Sequence, residues 1–259
     1  MRMMKKVLGT VTVLALSVSL LAGCGSTAVS PVSSTASTAA ESTTSSVVSE
    51  TTSAAADENA AAAAQLLNDL TGSYQELWPV ILADEYQQTW LDDCTALVGE
   101  ENAEAAFEKL SSMVTGDVYG EDAVEAYANG GGAYFCGFTN SLATLTFDGE
   151  TSTISGTDKD GNVLFSHTYH YIGMEPVHGL YEFESDDADS GEFTYFFLAP
   201  DTSAEPYHIE FRYGSDAEAL SQYDAGEYAY WVASGISTDC DQTMIDNCIE
   251  LFCTENLAG

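Results

Sequence analysis

Between Gly137 and Tyr213 apolar and polar residues alternate with a period of two, and that pattern restricts the chain more than any other feature. Six runs carry it: Leu142 to Phe147, Thr151 to Thr157, Val163 to Ile172, Gly179 to Glu184, Glu192 to Ala199 and Tyr207 to Tyr213. Each is bounded by turn residues, with Asp148-Gly149 and Asp158-Lys159-Asp160-Gly161 in hairpin positions. Connections this short favour pairing of each strand with the next, which predicts an antiparallel meander, most simply a barrel or a strongly curled sheet. Before Gly137 the period is helical. Asp84 to Val98 and Glu101 to Val114 place Trp90, Ala96, Leu97, Phe107, Leu110 and Met113 in stripes, Gly99 and Gly116 end them, and Glu121 to Tyr127 is a third, short helix. Helix returns at Asp216 to Tyr223 and at Asp241 to Cys253, where Met244, Cys248, Ile249 and Phe252 share a face. The fold class expected is α+β, mainly antiparallel β, a barrel with flanking helices.

The N-terminus is of another kind. Arg2, Lys5 and Lys6 precede an apolar run from Val7 to Ala22, too short to span a bilayer and suited to a signal peptide over residues 1–23. It ends at Leu21-Ala22-Gly23-Cys24, which looks like the lipobox of bacterial lipoproteins, so Cys24 is the expected lipidation site. Two or three acyl chains at about 0.8 kcal/mol per buried methylene would hold a chain at a membrane stably. Residues 24–64 are almost entirely Ser, Thr, Ala, Val and Glu with no aromatic residue, a composition that cannot offset its ordering entropy and reads as a disordered tether. Such a coil would reach on the order of 35 Å. Residues 65–259 then form one domain. The expected location is outside the cytoplasm, lipid-anchored to the cell membrane.

Charge narrows the partners. Without the signal peptide only Lys109, Lys159 and Arg212 stand against 41 acidic residues. A surface so negative repels nucleic-acid phosphates and anionic headgroups and attracts cations. The five further cysteines, Cys94, Cys136, Cys240, Cys248 and Cys253, are odd in number and include no Cys-x-x-Cys pair, so neither a complete disulfide framework nor a zinc knuckle is indicated. One or two disulfides or a set of buried thiols both fit an exported chain.

All four histidines, His167, His170, His178 and His208, lie in the strand region. In the run Tyr207 to Tyr213, alternation sets Tyr207, Ile209, Phe211 and Tyr213 on one face and His208, Glu210 and Arg212 on the other. Two ligand-capable groups at i and i+2 sit about 7 Å apart along a strand, close enough to converge on one ion. A Glu210–Arg212 ion pair on an exposed face is the competing structural account.

Gly72-Ser73-Tyr74-Gln75-Glu76-Leu77-Trp78-Pro79-Val80-Ile81 resembles the opening motif of the ZinT/YodA family, bacterial zinc-recruiting proteins with a lipocalin-like calycin barrel that also occur fused to zinc-binding lipoproteins. The resemblance resumes at Thr168 to Gly173, at Phe183-Glu184 followed by Asp189-Ser190-Gly191, and at His208 to Gly214. Residues 87–133 have no counterpart. The resemblance implies a calycin barrel and a metal site whose three ligand positions fall on Asp201, His208 and Glu210, of which only His208 is still histidine. The family's histidine-rich N-terminal loop is missing. An imidazole with two carboxylates suits zinc or another divalent cation, harder ions being favoured as oxygen replaces nitrogen. His167, His170 or His178 would add a nitrogen if its strand faced the same cavity.

The function this implies is metal scavenging or delivery from the membrane surface, with a metal transporter component as partner. The alternatives are a metal-free calycin holding a small apolar or glycan ligand against Tyr169, Tyr171, Tyr195, Phe197 and Trp231, or a purely structural surface lipoprotein. No Gly-x-Ser-x-Gly elbow, phosphate loop or His-Glu-x-x-His helix occurs, and no enzyme is expected. Asp186 to Glu192 lacks EF-hand spacing and reads as an acidic surface turn.

Overall fold

The computed structural model describes residues 58–199 and 208–258. Eight strands form a closed barrel in which each is antiparallel to its sequence neighbour. They are β1 (Gly72–Glu76), β2 (Thr144–Asp148), β3 (Thr153–Thr157), β4 (Val163–Met174), β5 (Tyr181–Ser185), β6 (Tyr195–Leu198), β7 (His208–Gly214) and β8 (Ala233–Ser237). The six strands expected from alternation are β2 to β7. The additional β1 and β8 close the barrel on each other through Tyr74↔Ser237, Gln75↔Ile236 and Glu76↔Gly235. Closure removes the two open edges that a six-stranded meander would expose.

Among the described residues seven α-helices accompany the barrel. Helix α1, over residues 58–69, reaches seven residues into the stretch read as tether and buries Ala63, Leu66 and Leu67 against the barrel core. Its Cα at Asn68 and carbonyl at Leu67 approach the β2–β3 turn so closely that a Cβ on Gly149 would lie 2.4 Å and 2.5 Å from them. Helices α2 (Trp78–Ile81), α3 (Gln87–Val98) and α4 (Glu100–Val114) form a layer outside the barrel with the C-terminal α7 (Gln242–Leu257). Short helices α5 (Glu121–Ala128) and α6 (Ala217–Leu220) lie in connections. The helix starts are chemically marked: the carboxylates of Asp216 and Asp241 accept the amides of Ala219 and Met244, and Glu100 and Glu101 occupy the first turn of α4 where the helix dipole favours negative charge.

Two apolar cores result. Inside the barrel the inward residues of the strands meet ring on ring, with Tyr169–Phe196 and Phe196–Tyr213 centroids each 5.4 Å apart and Phe165–Phe193 stacked at 4.0 Å. Each buried ring of this kind contributes roughly 1.5–3 kcal/mol of transfer free energy. The second core lies between β8 and the helices, where Ile236 on the outer side of the barrel joins Trp78, Trp90, Leu110 and Ile249.

Two helix faces and one helix length differ from expectation. On α3 the buried pair is Trp90 and Cys94, four residues apart, whereas Ala96 and Leu97 are exposed. On α7 the buried face runs through Ile245, Cys248, Ile249 and Cys253, leaving Met244 and Phe252 at its margin. The predicted helix from Asp216 to Tyr223 is only α6, and Arg212 takes the carbonyl of Leu220 at its end and that of Gln222 beyond it. Among the described residues no helix is long and apolar enough to cross a membrane.

Candidate functional site

Strand β7 carries the site residues predicted from alternation, and its two faces separate as expected. Ile209, Phe211 and Tyr213 are fully buried in the barrel core. His208 and Glu210 project from the outer face, each half-buried, opposite Ile236 and Ser234 of β8. They stand at the seam between barrel and helical layer, where the Leu77 amide donates to the Ser234 carbonyl and the Ser234 amide to the Cys136 carbonyl. Burial pushes the Cys136 thiol up to about 12, and the Glu210 charge adds to the effect.

The third predicted ligand, Asp201, lies outside the described residues, as does Cys24. The described chain stops at Ala199, whose amide donates to the Glu210 carbonyl at 2.9 Å. Among the described residues no three His, Cys, Asp or Glu side chains are grouped so as to hold a metal ion.

Arg212 does not lie on an exposed face. It is completely buried, and its guanidinium donates to the carbonyls of Leu220, Gln222 and Tyr228 while its carbon lies 4.2 Å above the Tyr223 ring. Burial lowers its pKa from the ordinary value and raises that of Tyr223. A buried cation ringed by carbonyls is a clamp for the β7–β8 connection.

The other histidines go elsewhere. His167 and His170 sit on β4, with β5 and β6 between them and β7. Their Nδ1 atoms each lie 2.7 Å from a carboxylate of the β5–β6 connection, Asp187 for His167 and Asp186 for His170. The acidic turn at 186–192 is therefore pinned to β4 by two imidazoles on opposite faces of the strand, through one carboxylate oxygen each of Asp186 and Asp187. His178 packs against Tyr223 with ring centroids 3.8 Å apart and planes tilted by 44°, and its Nδ1 is 3.7 Å from the fully buried Glu175, which accepts the Val177 and His178 amides. Sequence reasoning missed this Glu175–His178–Tyr223–Arg212 cluster because its members come from three separate segments.

The aromatics proposed to line a ligand cavity do not share one surface. Tyr169 faces the packed interior, whereas Phe197 pairs across the sheet with Arg212 and Glu182 on the outer face and Tyr195 bonds Glu184 there. Trp231 donates its Nε1 hydrogen to the Gly137 carbonyl and packs on Tyr213 at 5.0 Å. A groove of about 870 Å³ does exist, but along α3 and α4, with Leu91 and Phe107 between Asp92, Glu100, Glu104 and Glu108.

An eight-stranded, closed, up-and-down antiparallel barrel with flanking helices is a calycin-like fold. The zinc-bound ZinT-like domain of Streptococcus pneumoniae AdcA is similar to it, with 16% identity over 71% of this chain and 89% of that domain and a TM-score of 0.46. Zinc-bound AdcA from the same organism is similar at 14% identity and a TM-score of 0.42, over 72% of this chain, which spans 35% of AdcA's length. No protein-family model and no curated protein matches the chain.

Proposed function

We propose that this protein binds a divalent cation, zinc in the first instance, through His208 and Glu210 together with Asp201, and that it scavenges or delivers the ion from the outer face of the cell membrane. The observation that carries the reading is the placement of an imidazole and a carboxylate at i and i+2 on one face of β7, half-buried at the seam of barrel and helices. Partial burial strengthens ion–carboxylate attraction relative to open water, and neutral imidazole supplies the nitrogen donor that zinc favours. The strongly acidic chain raises the local concentration of any cation. On this reading Cys24 carries the lipid, the ion is cargo passed to a transporter component, and the protein is a carrier, not a catalyst. The packed, ring-filled interior disfavours a hollow lumen for an apolar or glycan ligand.

The test is metal content and thermal unfolding of the full chain. Zinc at about 100 times its Kd stabilises the folded state by about 2.7 kcal/mol, a rise in Tm of roughly 5–10 °C. His208→Ala and Glu210→Ala should each remove most of that rise while leaving the metal-free Tm within a few degrees. Purified protein without metal, and a Tm indifferent to saturating zinc, would refute the proposal.

A further inference from the structure

Cys94, in the middle of α3, and Cys253, in the last turns of α7, lie in the helical core with their Sγ atoms 4.0 Å apart. Both are fully buried, and 159 positions separate them in sequence. Sulfur atoms at that distance touch without bonding, and a disulfide at about 2.05 Å asks each to move only about 1 Å, within reach of small side-chain rotations and slight helix adjustment.

The neighbouring thiols are otherwise placed. Cys136 lies at the seam with Ser234 and Trp78, Cys240 precedes α7, and Cys248 is on the buried face of α7 more than two turns before its end. From this geometry we propose that Cys94 and Cys253 form a disulfide that fastens the C-terminal helix to α3, leaving Cys136, Cys240 and Cys248 as thiols.

The chemistry is thiol–disulfide exchange with a disulfide-bearing oxidant. One cysteine thiolate attacks a sulfur of the oxidant's disulfide, forming a mixed disulfide and releasing one thiol. The second thiolate then attacks the protein sulfur of that mixed disulfide and releases the other thiol. Two protein thiols and one oxidant disulfide become one protein disulfide and two oxidant thiols, so protons and electrons balance. Burial raises both protein thiols above the ordinary value, which slows attack in the folded state. The bond therefore forms while α7 is still docking, and it persists because the docked helices exclude reductant. The inference is independent of any bound metal.

The experiment refolds the full chain from denaturant in a mixture of oxidised and reduced glutathione, alkylates free thiols in denaturant, and maps the cysteines by mass spectrometry. Cleavage after glutamate suits this lysine-poor chain, since Glu250 lies between Cys248 and Cys253 and a peptide from residues 86–100 carries Cys94 alone. The expected product joins residues 86–100 to residues 251–255, with Cys136, Cys240 and Cys248 alkylated. Protein reduced in denaturant and refolded in the presence of reductant should melt roughly 10 °C lower than the oxidised protein, as the chain-entropy model gives for so long a loop. The double variant Cys94→Ala/Cys253→Ala should show no response to reductant. Recovery of both cysteines alkylated, linkage of either to Cys240 or Cys248, or a Tm unmoved by reduction would overturn the assignment.

Discussion

The guanidinium carbon of Arg212 lies 4.2 Å from the centroid of the Tyr223 ring, and the same ring packs at a tilt against His178, centroid to centroid 3.8 Å. Through these contacts and three carbonyls, one side chain on the outer face of β7 organises the connection leading to β8 and hence to barrel closure. Replacing Arg212 by Leu strands three carbonyls in a buried site, and by Lys removes the planar fork that reaches them together. Either change should cost about 3 kcal/mol or more in urea unfolding, Arg212→Lys the less of the two.

The contact between α1 and the β2–β3 turn gives a second prediction. Gly149 has no room for a side chain, since a Cβ there would meet backbone atoms of Asn68 and Leu67 at 2.4 Å and 2.5 Å, and its amide donates to Thr71 Oγ1 at 3.1 Å. Gly149→Ala should push α1 off the barrel end at a cost of about 1–3 kcal/mol. Limited proteolysis should then cut first near residues 58–69, with the barrel surviving as a stable fragment.

The thiols predict how stability responds to alkali. Burial raises Cys136 and Cys248 to about 12 and Cys240 to about 11 from an ordinary 9.0. Below pH 9 these groups are protonated in both folded and unfolded chains and have no effect on the balance. Between pH 9 and 12 the unfolded chain loses the protons that the folded chain keeps, so stability falls as pH rises. For Cys136 and Cys248, both nearly inaccessible, the slope approaches about 1 kcal/mol per pH unit each. Urea midpoints should hold up to pH 9 and then decline, more gently in Cys136→Ala. In the reduced protein at pH 8 an aromatic disulfide reagent should reach Cys240 first, because it is the most accessible of the five.

Much of the barrel was legible in the chain because alternation reports burial on one side of a sheet, and β2, β3 and β4 bury one side cleanly, whereas β6 and β7 also bury Phe197 and Arg212 on the outer side. Strands β1 and β8 were not legible as strands. On β8 Ile236 faces the helical layer while Ala233 faces the barrel, so both sides are covered and alternation is blurred, and β1 buries only Tyr74 of its five residues. The helix faces on α3 and α7 were misjudged for a related reason. Cys94 and Cys253 occupy the centre of the helical core, whereas Leu97, as apolar as any residue on α3, looks outward.

The candidate site divides along the same line. That His208 and Glu210 share a face follows from strand geometry alone, as does the opposite placement of Ile209, Phe211 and Tyr213. That Arg212, on the face of His208 and Glu210, is buried under carbonyls depended on where residues 220–228 come to rest. The pairing of His167 and His170 with Asp187 and Asp186 likewise needed the register of β4 on β5.

By itself the sequence determined the meander, since a period of two joined by short polar turns leaves neighbouring strands no other low-cost pairing. Only the tertiary structure decided that the ends of that meander meet, that helices cover its outer wall, and that two cysteines 159 positions apart touch. Local pattern encodes which side of an element is dry. Which distant element makes it dry is set by packing across the whole chain, where no single segment carries the information.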